Sequence, residues 1–470
     1  MPVNSIIQKA LNQLEQALGS GKVVNDEFIL QRYARDETSN LSCAPDIVVR
    51  AENTEDVSRV LRICNDLKMP VTPRGAGTGV TGGAVPVQGG VVLSLEKMNR
   101  ILEIDRENMM AVVEPGVITH DLQQAAVSRG LMYPPDPASL ESCSIGGNIA
   151  ENAGGPRAVK YGTTKDYVVG LQMVLADGTI LDSGGKIVKN ATGYNLCGIV
   201  LGSEGTLAVV TRIYLKLIAL PPVTRDILIP FNTMEKAVAG VNAILLQKIV
   251  PATIEFMEQD AIDLVSRHVD GAVPFSDAGA HLLIQVDGET EDMVFGMIRR
   301  ISDAVRVDAE KVLVADSASQ SNRIWKARRS IREAITARSP VFLAEDCVVP
   351  RAVIHLFLNA LKAYLGSSGL FSVMFGHAGD GNVHIDVLKE DMDDDRWQEM
   401  IPGIKREIYA RAIDLGGTIT GEHGIGLLRK DYLPMALTDP QIMLQQRIKK
   451  AFDPNMILNP GKIFPFSDSA

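Results

Sequence analysis

Pro73-Arg74-Gly75-Ala76-Gly77-Thr78-Gly79-Val80-Thr81-Gly82-Gly83 is the stretch whose reading decides the fold. Gly77, Gly79 and Gly82 spell G-x-G-x-x-G, the fingerprint of a dinucleotide-binding turn. That fingerprint requires a helix opening at the glycines and an acidic residue about 20 positions on. Here Val85, Pro86 and a strand-like run, Gly89-Gly90-Val91-Val92-Leu93-Ser94-Leu95, follow instead. The dinucleotide-helix reading therefore fails. What remains is a loop whose backbone N–H groups are unhindered and can approach a pyrophosphate closely. The plain alternative is a glycine-rich turn between two strands.

Two similar stretches lie downstream. One is Cys143-Ser144-Ile145-Gly146-Gly147-Asn148-Ile149-Ala150-Glu151-Asn152-Ala153-Gly154-Gly155, read as a loop after a proline-rich segment, and the other runs through 193–211. Around them, short β-branched runs alternate with helical patterns, and Asn53 followed by Asp56 marks a helix start. Three glycine-rich loops in one α+β region each cost backbone entropy, which favours a large phosphate-bearing cofactor over turn chemistry.

The three loops, in this order, resemble the FAD-binding domain of the vanillyl-alcohol-oxidase-type flavoproteins. Over about 30–465 the chain is similar to their glycolate oxidase D-subunit, D-lactate dehydrogenase and D-2-hydroxyglutarate dehydrogenase branch. The resemblance implies a two-subdomain FAD-binding domain plus an α+β cap domain with a helix-covered antiparallel sheet. It implies non-covalent FAD, with Arg74, Gly75, Ala76, Gly77, Thr78, Gly82 and Gly83 at the diphosphate. Pro135, Cys143, Ser144, Gly147, Asn148 and Gly154 would follow the flavin, and Gly205, Val209 and Val210 would complete the site.

The 470 residues carry a formal charge of −10, so there is no basic face for nucleic acid, and an anionic substrate would need local positive charge from a metal or arginine. Cys43, Cys64, Cys143, Cys197 and Cys347 lie far apart, without the runs that ligate iron–sulfur clusters. Electrons leaving a flavin must then pass to another protein, such as an iron–sulfur subunit or an electron-transfer flavoprotein, or to a quinone or oxygen. The amphipathic N-terminus lacks signal or transit features, and no window reads as a membrane span. A cytoplasmic protein meeting a membrane only through a partner is expected, and a homodimer is among the expected assemblies.

Pro221-Pro222 ends the first region, giving domains at 1–219, 220–415 and a C-terminal segment at 416–470. The second region reads as a sheet covered by helices on one face, with helices near 232–247, 289–306, 320–337 and 350–366. Within it, Leu370–Leu388 reads as a hairpin turning at Asp380-Gly381. That turn pairs 377 with 384, setting His377 directly opposite His384, close enough to share an ion. With Glu422 of Gly421-Glu422-His423-Gly424, the donors suit zinc or a similar divalent ion. The bland alternative is two histidines capping loops.

The family resemblance implies the same three ligands and makes His423 the base that takes the substrate hydroxyl proton, a task suited to imidazole near neutral pH. It also implies that Arg328, with Arg332 as second candidate, binds the substrate carboxylate. The two are four apart on a helical pattern. Relatives acting on 2-hydroxyglutarate have a lysine near Ala344 or Glu345 and an asparagine at the position of Asp386. This chain has neither, so a small monocarboxylate such as D-lactate or glycolate is preferred. The competing readings are a D-2-hydroxyglutarate dehydrogenase, a non-redox flavin transferase of the same superfamily and a non-catalytic subunit.

Overall fold

The computed structural model describes residues 3–270, 273–309 and 311–465. The chain forms two compact units. One comprises Met1–Gly154, Thr163–Leu220 and Glu422–Ala470, and the other Gly155–Gly162 and Pro221–Gly421.

In the first unit the amphipathic N-terminus is the helix Val3–Leu18. Its Ala10, Leu11 and Leu14 bury against Val57, Val60, Leu61 and Cys64 of the helix Thr54–Leu67. That second helix is capped by Asn53, whose side chain accepts from the Asp56 amide at 2.9 Å. A four-stranded sheet runs in the order Val23–Val24, Ile47–Arg50, Val91–Ser94, Val71–Arg74, with the last three parallel. Parallel neighbours cannot be joined by a tight turn. The glycine loop is the long connection from Val71–Arg74 to Val91–Ser94, made here without a helix. A five-stranded antiparallel sheet follows in the order Ile101–Asp105, Met110–Val113, Val209–Lys216, Val168–Val174, Ile180–Gly184.

The second glycine stretch differs from its reading as a loop. Ile145–Glu151 is a helix, capped by the Ser144 hydroxyl accepting from the Gly147 amide at 3.3 Å. Two adjacent glycines hide the helix from propensity, whereas the serine cap offsets them.

The second unit is built on a seven-stranded antiparallel sheet ordered Leu313–Val314, Val223–Phe231, Ala280–Gly288, Thr253–Glu258, Phe371–His377, Asn382–Leu388, Phe342–Val348. It carries helices on both faces rather than one. Glu258 and Glu345 point to one face, where Lys362 of Ile354–Ser367 and Lys405 of Asp394–Asp414 meet them. The opposite face is packed by Gln259–His268, Ala318–Arg329 and Ile331–Arg338 through Ala261, Ile262, Ile324, Ile331 and Ile335. All seven residues of Asn382–Leu388 are buried, as a strand covered on both sides requires. Among the described residues no helix is long and apolar enough to cross a membrane.

Candidate functional site

In the first unit the three glycine motifs meet. A Cβ built on Gly75 would run into the Ser144 hydroxyl, and one on Gly205 would lie 3.5 Å from Cγ of Pro73. Gly77 has φ +77°, and a side chain there would also enter the Arg74 guanidinium. Among the described residues, the successive amides of Gly75, Ala76, Gly77, Thr78 and Gly79 donate to no other backbone group. Backbone N–H groups are obligatory donors, so five in a row without a carbonyl partner fit a diphosphate.

Several of the expected cofactor residues also serve the scaffold. Asn148 Nδ2 donates to Thr119 Oγ1 at 2.6 Å, the buried Cys143 sulfur lies 3.3 Å from that hydroxyl, and the Pro135 carbonyl accepts from Gln123. Val209 and Val210 lie buried in a strand paired with Val174 and Met173. Gly147 and Gly154 offer backbone alone. Gly146 sits so close to Pro115 that a Cβ would be 2.6 Å from its Cβ and 2.9 Å from its carbonyl oxygen. Gly146→Ala is expected to cost ~1–3 kcal/mol through overpacking, read as a lower urea midpoint with reduced FAD content.

The C-terminal segment is tied to these motifs by residues that sequence reasoning missed. Glu204 accepts from the amides of Ile425 at 2.8 Å and Gly426 at 2.6 Å, fixing the backbone just after His423. Asn459 donates to the carbonyls of Gly83 and Glu204, and Lys462 to those of Gly83 and Val85. Burial pushes Lys462 down to about 7, opposed by the charges of Asp36, Glu204 and Glu151. Burial first, then repulsion from Glu204, holds the Glu151 carboxyl well above the usual range. Glu204 sits inside the quoted third loop and Asn459 and Lys462 inside the Asn459-Pro460-Gly461-Lys462 turn. A polar residue in a glycine-rich run was the only signal available.

In the second unit the histidine hairpin has a different register from the one expected. His377 pairs with Asn382 and Phe375 with His384, so the turn is the four residues Ala378–Gly381. The His377 carbonyl accepts from both Asp380 and Gly381, which draws the extra residues into the turn. The two imidazoles are thus diagonal, not opposed. The shift is even, so both stay on one face, with ring centroids 5.2 Å apart and planes at 86°.

Around them, the buried Glu255 pairs across the sheet with His377, and its Oε1 is 2.6 Å from His377 Nδ1. The Arg328 guanidinium lies 2.8 Å from Glu255 Oε2, close but not aligned as a hydrogen bond, and stacks 4.7 Å over Phe375. Phe375 in turn lies 5.2 Å from the His384 ring. Arg328 and Arg332 do not share one helix, because the pattern breaks at Ser330 into Ala318–Arg329 and Ile331–Arg338. Arg332 pairs instead with the fully buried Asp386 at 2.7 Å and stacks on Phe342. Asp386 is therefore neutralised. Glu345 points to the other face, bound by Tyr409 and Lys405.

Asp346 accepts from Asn382, the register partner of His377, and from the Gly421 amide at 3.0 Å. Glu422 is the next residue along the chain, where the first unit resumes. Within that unit its Oε2 would lie 3.4 Å from a Cβ on Gly154, and its Oε1 lies 4.0 Å from His423 Nε2.

Comparison with known proteins agrees with this anatomy. Residues 45–184 match the family model described as an FAD binding domain, and 220–463 match the C-terminal domain of FAD linked oxidases. The chain is 41% identical to the glycolate oxidase subunit GlcD of Bacillus subtilis, covering 92% of each chain. It is 38% identical to a D-lactate dehydrogenase of Anaerostipes hadrus, covering 98% of each. The crystal structure of p-cresol methylhydroxylase superposes with a TM-score of 0.82 at 20% identity, covering 98% of this chain and 97% of that one, a likeness of fold.

Proposed function

Because the chain belongs to the FAD-linked oxidases and carries their FAD-binding domain, we propose that it oxidises a small D-2-hydroxy acid, D-lactate or glycolate, to the 2-oxo acid. The observation that carries this reading is the second unit's face, where two imidazoles suited to a metal adjoin an arginine suited to a carboxylate. In this reading His377, His384 and Glu422 hold a divalent metal, zinc being the first choice, because two imidazoles and a carboxylate are the donor set such an ion takes.

FAD held non-covalently by the Arg74–Gly83 loop, with Ser144, Gly147, Gly154 and Gly205 around it, supplies the two-electron acceptor. The metal supplies Lewis-acid polarisation of the substrate hydroxyl. The protein's own groups do the rest. His423 takes the hydroxyl proton, because hydride leaves C2 more readily as that proton departs. Arg328 holds the substrate carboxylate. Its Nε is buried and has no protein acceptor among the described residues, so a ligand oxygen can complete it. Arg332, the second arginine on this face, is occupied by Asp386, which favours a monocarboxylate over 2-hydroxyglutarate.

Arg328→Ala is expected to raise KM for D-lactate about 10–100-fold, since a hydrogen bond to a charged group is worth ~1.5–3 kcal/mol. Arg328→Lys should not restore it, because lysine lacks the planar fork. Steady-state kinetics with an artificial electron acceptor read both. Electrons then pass to a partner protein or a quinone, and rapid NADH formation by the purified protein would contradict this. Anaerobic titration with D-lactate, L-lactate, glycolate and D-2-hydroxyglutarate tests the whole reading. Flavin bleaching by D-lactate or glycolate supports it, and bleaching by none of the four refutes it.

A further inference from the structure

Glu255 has a place that neither the cofactor loops nor the candidate metal ligands account for. It is a carboxylate 1% exposed in the middle of a seven-stranded sheet, on the strand Thr253–Glu258 between Ile254 and Phe256. Burying a charge there is costly unless it is paired. Both of its oxygens are engaged: Oε1 by His377 Nδ1 at 2.6 Å and Oε2 by the Arg328 guanidinium at 2.8 Å.

We propose that Glu255 is a positioning residue that sets the metal-facing nitrogen of His377 and the orientation of Arg328 together. The proposal rests on the metal-and-carboxylate reading of this face. An imidazole that donates its Nδ1 proton to a carboxylate carries its lone pair on Nε2, so Glu255 selects the tautomer in which His377 can ligate an ion through Nε2. The second oxygen of Glu255 holds the Arg328 guanidinium, which the Phe375 ring supports from beneath. One side chain thus couples the group that would hold the metal to the group that would hold the substrate's carboxylate. Glutamine has the same shape but only one acceptor oxygen, and its amide N–H groups face donors. It can serve His377 or Arg328, not both.

The test is zinc affinity of metal-stripped, FAD-loaded protein, measured by competition with a chromophoric chelator for wild type, Glu255→Gln, Glu255→Ala and His377→Ala. Wild type is expected to bind one equivalent. Glu255→Gln should bind ~10–100-fold more weakly, the cost typical of losing an outer partner of a metal-ligating histidine, with FAD content unchanged. His377→Ala should be weaker still. Glu255→Gln binding within twofold of wild type, while His377→Ala loses the ion, overturns the role of Glu255 and leaves the metal site standing. Wild type binding no zinc, or His377→Ala binding as tightly as wild type, overturns the metal reading itself. Glu255→Gln decides the matter if Glu255→Ala fails to fold.

Discussion

Replacing His423 by alanine is expected to leave FAD bound and to slow flavin reduction by D-lactate about 10²–10⁴-fold, the usual worth of a positioned general base. FAD should remain because the backbone following His423 is fixed by the Glu204 carboxylate on the amides of Ile425 and Gly426. Truncating the imidazole touches neither bond. The glycine loop is likewise anchored by Asn459 and Lys462. The defect should therefore fall on the reduction rate at saturating substrate and not on the flavin spectrum. Anaerobic stopped-flow at the flavin band checks it, and an unchanged rate would remove His423 as the base.

The second large effect concerns the imidazole pair. His377→Ala or His384→Ala should lower metal affinity by more than the ~10–100-fold that outer partners cost, because each removes a ligand outright. Flavin reduction should fall with it. The FAD-binding unit has its own core, in which Ala10, Leu14, Val57, Leu61, Val91 and Leu93 pack together. FAD content should accordingly survive both changes. Metal analysis of the purified variants, with the flavin spectrum as internal reference, separates loss of the ion from loss of the fold.

The hairpin shows how far the sequence could be read. Asp380-Gly381 pointed to a two-residue turn, but the His377 carbonyl collects two amides and lengthens the turn to four residues. Side chains alternate along a strand, so a slip of two residues keeps the histidines on one face whereas a slip of one would have parted them. The face was legible and the register was not. Likewise, the stretch from Pro73 to Gly83 was readable as a loop without a helix because its glycines lie close together in the chain. Glu255 was not readable at all: its partner His377 is 122 positions away, and strand pairing alone brings them together. Arg328 and Arg332 shared a helical spacing, but the break at Ser330 gave each its own acid, a division that local periodicity does not encode.

The most direct test compares the same protein with and without its ion. Metal-stripped enzyme that retains FAD should stay yellow under anaerobic D-lactate, and one equivalent of zinc or another divalent ion should restore bleaching. Bleaching of the stripped enzyme at the undiminished rate would contradict the central role given to His377, His384 and Glu422.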